Sequence, residues 1–243
     1  MESAQRLLLC TDLDRTLIPN GREPESPHAR RLFDELVARR EVTLVYVSGR
    51  HAALVREAIA AYDLPAPQRV IADVGTAIYE TGAEEWTRSA SWEAEIRRGW
   101  PADAGRRLVP ELAKLPGCEP QEASRQSDVK LSFYVSRDLD AGDLTRRVES
   151  TCRALGVSPS IIYSVDEQRS VGLLDVLPAR ASKLHAIRFL MQELGFSLLD
   201  TLFCGDSGND LDVLTSEIPG VLVANAAPEV RSLAIERASR LGN

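Results

Sequence analysis

Apolar residues in this chain come in short unbroken runs that stop at small or acidic residues. Residues 6–12 (RLLLCTD), 42–49 (VTLVYVSG), 69–75 (RVIADVG), 201–208 (TLFCGDSG) and 220–226 (GVLVANA) all have this form. Runs without polar alternation predict strands covered on both faces, as in parallel sheets. Helical spacings lie between them. Over 26–40, Leu32, Phe33, Leu36 and Val37 recur at three- and four-residue steps, behind Ser26 as a cap and Pro27 at the first helical position. Over 182–195, Leu184, Ile187, Leu190, Met191 and Leu194 form one stripe that ends at Gly195. Strand–helix–strand order predicts an α/β fold with a doubly wound, Rossmann-like parallel-sheet core.

The middle of the chain has another texture. A helical stretch holds Trp86, Trp92 and Trp100, followed by the alternating VKLSFYVS (129–136), a helix over about 142–155 and a strand at SIIYSV (160–165). None of these elements ends in a cluster of acids. We expect an inserted α+β cap domain over 81–172, with the tryptophans in its core, and a catalytic core formed by 1–80 with 173–243.

Ligands of open parallel sheets bind beyond the carboxyl ends of the strands. Asp12 and Asp14 end the first predicted strand, Ser48-Gly49-Arg50 the second, and GDSGND (205–210) brings Asp206, Asn209 and Asp210 to the end of a later one; Lys183 starts a helix. Buried carboxylates this close repel each other, so a cation is needed among them. Oxygen ligands from Asp12, Asp14, Asp206 and Asp210, without His or Cys, predict Mg²⁺. A cation of this kind with open positions fits a phosphate ester as substrate. Asp12 is then placed to attack phosphorus, and Asp14 to protonate the leaving oxygen and later deprotonate water. Lys183, the Ser48 hydroxyl and nearby backbone N–H groups neutralise the phosphoryl oxygens, with Gly49, Arg50 and Asn209 on the substrate side.

Composition narrows this little. The chain has 243 residues, 44% apolar and 27% charged, with a net charge of −7. Such acidity argues against a broad nucleic-acid surface. The sequence offers no run of about 18–20 apolar residues for a membrane span and no signal-peptide pattern at its N-terminus. Cys10, Cys118, Cys152 and Cys204 form no CxxC pair and lie far from His28, His51 and His185. This argues against a zinc site and a disulfide framework, and a cytoplasmic location is expected. His28 and His51 are expected in the first turns of surface helices.

DLDRT, SGR, Lys183 and GDSGND together resemble the four motifs of the haloacid dehalogenase superfamily of phosphohydrolases. The resemblance implies Asp12 as nucleophile, Asp14 as acid/base, and metal ligation by Asp12, the backbone carbonyl of Asp14 and Asp206, with Asp210 close by. The insertion between the second and third motifs is where members with the larger α+β cap carry it. Within the superfamily, DVGTAIYE, VKLSFYV, LLDVLPARASK, LFCGDSGNDLDVL and GVLVANAAPEV resemble segments of sucrose-phosphate phosphatases and mannosylfructose-phosphate phosphatases. That implies a disaccharide phosphate, sucrose 6-phosphate first, and a sucrose-phosphate synthase as a partner. In VKLSFYV, Lys130, Ser132 and Tyr134 share one strand face. Lys130 and Ser132, with Asp175 on the strand returning to the core, are expected to meet sugar hydroxyls, and Lys130 to face the core across a cleft.

Three features depart from the pattern. Leu184-His185 follow Lys183 where those enzymes carry Gly and a small polar residue, position 15 is Arg, and the chain stops at Asn243 without the usual closing segment. A trimmed sequence or a differently covered sheet edge is expected from the last. Competing readings are a phosphosugar mutase using a second phosphate site near Arg97, Arg98, Arg106, Arg107 or Lys130, a non-catalytic partner of a synthase, and a metal-dependent glycosyltransferase. The last leaves Lys183 and GDSGND unexplained.

Overall fold

The computed structural model describes residues 6–20, 25–82, 85–166 and 169–241. They form two compact units, one running up to Ser89 and resuming at Lys183, the other spanning Ala90–Ser182.

The first unit contains β1 (Leu7–Thr11), α1 (Ala29–Val37), β2 (Val42–Val47), α2 (Ala52–Ala61), β3 (Arg69–Ala72), β4 (Ala77–Thr81) and β5 (Trp86–Arg88). The second unit holds α3 (Ala90–Ile96), α4 (Ala104–Leu112), β6 (Cys118–Pro120), β7 (Leu131–Val135), α5 (Ala141–Ala154), β8 (Pro159–Asp166) and β9 (Val171–Pro178). After it, α6 (Lys183–Leu194), β10 (Thr201–Gly205), α7 (Leu211–Leu214), β11 (Gly220–Leu222) and α8 (Pro228–Leu241) complete the first unit.

In the first unit the strands lie in the order β11-β10-β1-β2-β3-β4-β5. The five from β11 to β3 are parallel, as the unbroken apolar runs predict. Leu8, Leu44, Val45 and Phe203 are fully buried, and Ala186, Ile187 and Leu190 of α6 are buried with them. Each such side chain contributes about 1.5–3 kcal/mol of apolar burial. Register fixes the site: Thr11 pairs with Cys204, and the Asp12 N–H donates to the Cys204 carbonyl at 2.9 Å. The ends of β1 and β10 are therefore level.

Several local expectations are corrected. The helix expected from Ser26 begins at Ala29; Ser26 O accepts from the Ala29 N–H and His28 sits at φ 67°, so the chain turns before it coils. Leu32 is exposed, while Phe33, Leu36 and Val37 pack on the core. The run 69–75 is a strand only to Ala72, and β4 and β5 pair antiparallel at that edge. Trp86 is on β5 of this sheet rather than in the core of the insertion, with the Arg56 guanidinium 4.6 Å above its ring. Trp92 and Trp100 are buried in the second unit, where the Trp100 indole N–H donates to the Asp128 carbonyl at 2.8 Å.

The second unit is an antiparallel sheet, β6-β7-β9-β8. Its buried residues include Leu108 and Leu112 of α4, Phe133 of β7, Val148 and Cys152 of α5 and Leu174 of β9.

Candidate active site

Lys183, the first residue of α6, is 1% exposed, a position in which an unpaired ammonium would cost several kcal/mol. Its Nζ donates to Asp12 Oδ1 at 2.8 Å, Asn209 Oδ1 at 2.9 Å and Asp210 Oδ1 at 2.7 Å. Burial acts to lower the Lys183 pKa, but Asp12 and Asp210 outweigh it and hold the amine protonated. Ends of β1, α6 and the 205–210 loop are thus tied to a single cation.

The loop folds as it does because Ser207 and Asp210 cap each other. Asp210 Oδ2 accepts from the Asp206 N–H, the Ser207 N–H and the Ser207 hydroxyl, all at 3.1 Å. Asp210 is fully buried with both oxygens engaged. It braces the loop and orients Lys183.

Asp12, Asp206 and Asp210 lie with carboxylate oxygens within 4.8 Å of one another, all buried. Burial pushes the Asp12 carboxyl well above its ordinary range; Lys183 opposes this, and the neighbouring Asp210 and Asp206 add to it. Burial and then Asp210 raise Asp206 to about 6, against Arg15, Lys183 and Thr16. Asp206 Oδ1 accepts from the Thr16 hydroxyl at 3.4 Å, whereas Asp206 Oδ2 is buried without a hydrogen bond. Three buried carboxylates against one buried ammonium leave negative charge in excess, and Asp206 Oδ2, without a hydrogen bond among the described residues, has the partly exposed Arg15 Nε 3.4 Å away. This donor set fits a small, oxygen-seeking divalent cation.

Asp14 stands apart from that cluster. Its carboxylate accepts from Arg50 Nε at 2.8 Å and Arg50 Nη2 at 2.5 Å, and from Asn20 Nδ2 at 2.6 Å. The hydrogen bonds to Asp14 raise the Arg50 pKa over the opposing effect of burial. Arg50, expected on the substrate side, is therefore bound to the candidate acid/base. Asn20 carries no motif and was invisible to sequence reasoning.

Ser48 is fully buried at the end of β2, and its Oγ accepts from the Arg50 N–H at 3.1 Å. Asp73, Val74 and Gly75 follow β3 with φ of 50°, 60° and 99°. Positive φ is costly for a β-branched residue such as Val74. The turn holds its partner loop: the Val74 N–H donates to Ser48 O and the Asp73 N–H to Arg50 O. A Cβ on Gly49 would stand 3.7 Å from Asn209 Nδ2, so Gly49 and Asn209 are neighbours.

Lys130, Ser132 and Asp175 lie in the second unit. Lys130 and Ser132 are buried, and Ser132 Oγ donates to Asp175 Oδ1 across the β7–β9 pair at 2.5 Å. Burial raises the Cys10 thiol, and raises Cys204 to about 11, so neither is a nucleophile at neutral pH. No helix among the described residues is long and apolar enough to cross a membrane.

Residues 5–241 match the family of sucrose-6F-phosphate phosphohydrolases. The chain belongs to this family. A HAD-like hydrolase of Nitrosococcus oceani is 46% identical over 233 residues, which are 96% of this chain and 63% of that protein. Sucrose-phosphatase 1 of Nicotiana tabacum is 32% identical over 237 residues, 95% of this chain and 53% of its own length. The chain thus spans between about half and two thirds of these curated relatives. Among solved structures, the sucrose-phosphatase of Synechocystis sp. in complex with sucrose and phosphate superposes with a TM-score of 0.80 at 25% identity, covering 97% of this chain and 89% of that one. The family match and this architecture agree with the superfamily resemblance of the motifs and with the expected α/β core.

Proposed function

We propose that this protein is a Mg²⁺-dependent phosphohydrolase of a sugar phosphate, with sucrose 6-phosphate as the first candidate. One observation carries the reading: Asp12, at the end of β1, is hydrogen-bonded to a buried Lys183 that Asp210 and Asn209 hold in place, in a chain matched to the family over nearly its whole length.

In this reading Asp12 attacks phosphorus as the P–O bond to the sugar breaks, and the departing oxygen takes a proton from Asp14. The aspartyl-phosphate is then hydrolysed by water that Asp14 deprotonates, which returns the Asp12 carboxylate and frees inorganic phosphate. Lys183 opposes the effect of burial on Asp12 and offers its charge to the phosphoryl oxygens. For acid/base work the Asp14–Arg50 pair must open, which leaves Arg50 free to meet the substrate phosphate. Asp12, Asp206 and the Asp14 backbone carbonyl would hold Mg²⁺, which supplies Lewis-acid stabilisation of phosphoryl charge. The unit spanning Ala90–Ser182 is assigned as the substrate-selecting cap, with Lys130, Ser132 and Asp175 as its sugar-facing residues. A mannosylfructose phosphate is the nearest alternative substrate.

The test is phosphate release from a panel of sugar phosphates with Mg²⁺. Sucrose 6-phosphate should exceed p-nitrophenyl phosphate in kcat/KM by about a hundredfold or more, because a site built for many hydroxyls is left unpaired by a small ester. Comparable values would refute disaccharide recognition. Asp12→Asn should abolish turnover in a protein that still melts cooperatively; near wild-type release from that variant would remove the mechanism.

A further inference from the structure

Arg15 follows the two acids of DLDRT, at φ 61°. Its backbone is fixed on both sides: the N–H donates to Asn20 Oδ1 at 2.8 Å, and the carbonyl accepts from Asn225 Nδ2 at 2.6 Å. Its guanidinium is held more loosely. Nη2 donates to the Asn225 carbonyl at 3.3 Å, and Nε lies 3.4 Å from Asp206 Oδ2. That oxygen is the buried carboxylate atom without a hydrogen bond. The Arg15 side chain is 36% exposed, against 2% for Asp206, so one partner can leave towards water while the other cannot.

We infer that Arg15 is a built-in competitor of the divalent cation: in the metal-free protein its guanidinium occupies the field of Asp206, and it must withdraw when Mg²⁺ binds there. The inference rests on the metal reading above. Two like charges cannot share one buried oxygen without mutual repulsion, which in a partly buried site is several-fold stronger than in bulk water. Lys183 cannot relieve it, being buried and committed to three short hydrogen bonds. Arg15 has two long contacts and an open side, and its backbone is anchored independently of its side chain. Withdrawal therefore needs rotamer changes alone. The consequence is a lowered affinity for Mg²⁺ and a metal-free state in which Asp206 still has a counter-charge. By linkage, whatever draws the Arg15 guanidinium away, including a bound phosphate ester, tightens metal binding by the same factor.

The test is calorimetric titration of Mg²⁺ into the metal-free protein, its Arg15→Met variant and its Arg15→Lys variant, with thermal melting in the same buffers. Met keeps the stem and the backbone conformation but removes the charge. Arg15→Met should bind Mg²⁺ on the order of tenfold more tightly, the usual size of such coupling. Its metal-free form should melt lower than wild type at pH 7.5, and saturating Mg²⁺ should close that gap. Arg15→Lys should fall between the two. Equal or weaker Mg²⁺ binding by Arg15→Met overturns the competition while leaving the metal reading intact, and a raised KM for substrate with unchanged Mg²⁺ affinity does the same. Failure of all three proteins to bind Mg²⁺ overturns both.

Discussion

Asp206 is a buried carboxylate whose condition a bound cation would change. Its carboxyl is raised by burial and by Asp210 to about 6 from an ordinary value of 3.8. A group raised on folding contributes stability that is complete below its unfolded pKa and lost as pH rises through its folded one. In the metal-free protein this loss falls between about pH 4 and pH 6 and amounts to about 3 kcal/mol for Asp206. A divalent cation bound to the same carboxylate, as proposed, would relieve it. Mg²⁺ should therefore raise the melting temperature clearly at pH 7.5 and little at pH 5, as scanning calorimetry at the two pH values would show; equal shifts would contradict the placement of the ion. In sequence, Asp12, Asp206, Asp210, Lys183 and Asn209, which the structure brings together, stood out by residue type and by position at strand ends and a helix start. The Arg50 pairing with Asp14, the Asn20 hydrogen bond and the Arg15–Asp206 contact were not, since each joins residues whose proximity depends on loop geometry.

At the scale of elements, the decisive feature is where β10 stops. Its last residue is Gly205, and a Cβ there would lie 2.7 Å from Asp210 Cγ, 2.8 Å from Asp210 Oδ2 and 2.8 Å from a Phe203 ring carbon. Asp210 folds back over the strand end only because that position has no side chain. Gly205→Ala should displace Asp210 and loosen Lys183, lowering stability by about 1–3 kcal/mol and turnover by about tenfold or more. Urea melts and phosphate-release kinetics would check this, and unchanged values for both would contradict the close packing. Strands in the parallel core read well from sequence, since burial on both faces leaves unbroken apolar runs. The end of β3 and the start of α1 did not. Both are set by residues at positive φ, Asp73 to Gly75 and His28, and backbone conformation at non-glycine residues leaves little trace in composition. Trp86 was misplaced for a related reason: an apolar aromatic reads alike in a helix core and on an edge strand.

For the whole molecule the open question is how selectivity arises, and the unit spanning Ala90–Ser182 is where it is proposed to lie. Lys130 is 7% exposed and stands next to the strand that carries Ser132 opposite Asp175. Lys130→Ala should raise KM for sucrose 6-phosphate by about tenfold while leaving KM for p-nitrophenyl phosphate within about twofold. Steady-state kinetics on both esters reads this directly. Equal effects on the two would reduce Lys130 to a packing residue. By itself the sequence determined the layered architecture, the strand ends that bear acids, and the family, because apolar periodicity and short motifs are local properties of the chain. Tertiary structure alone decided which charges meet. Only the registered ends of β1 and β10 bring Asp12 and Asp210, 198 residues apart, onto one Lys183 ammonium and leave Asp206 with an oxygen facing Arg15, and Coulomb energies in a buried site follow those distances rather than the order of residues.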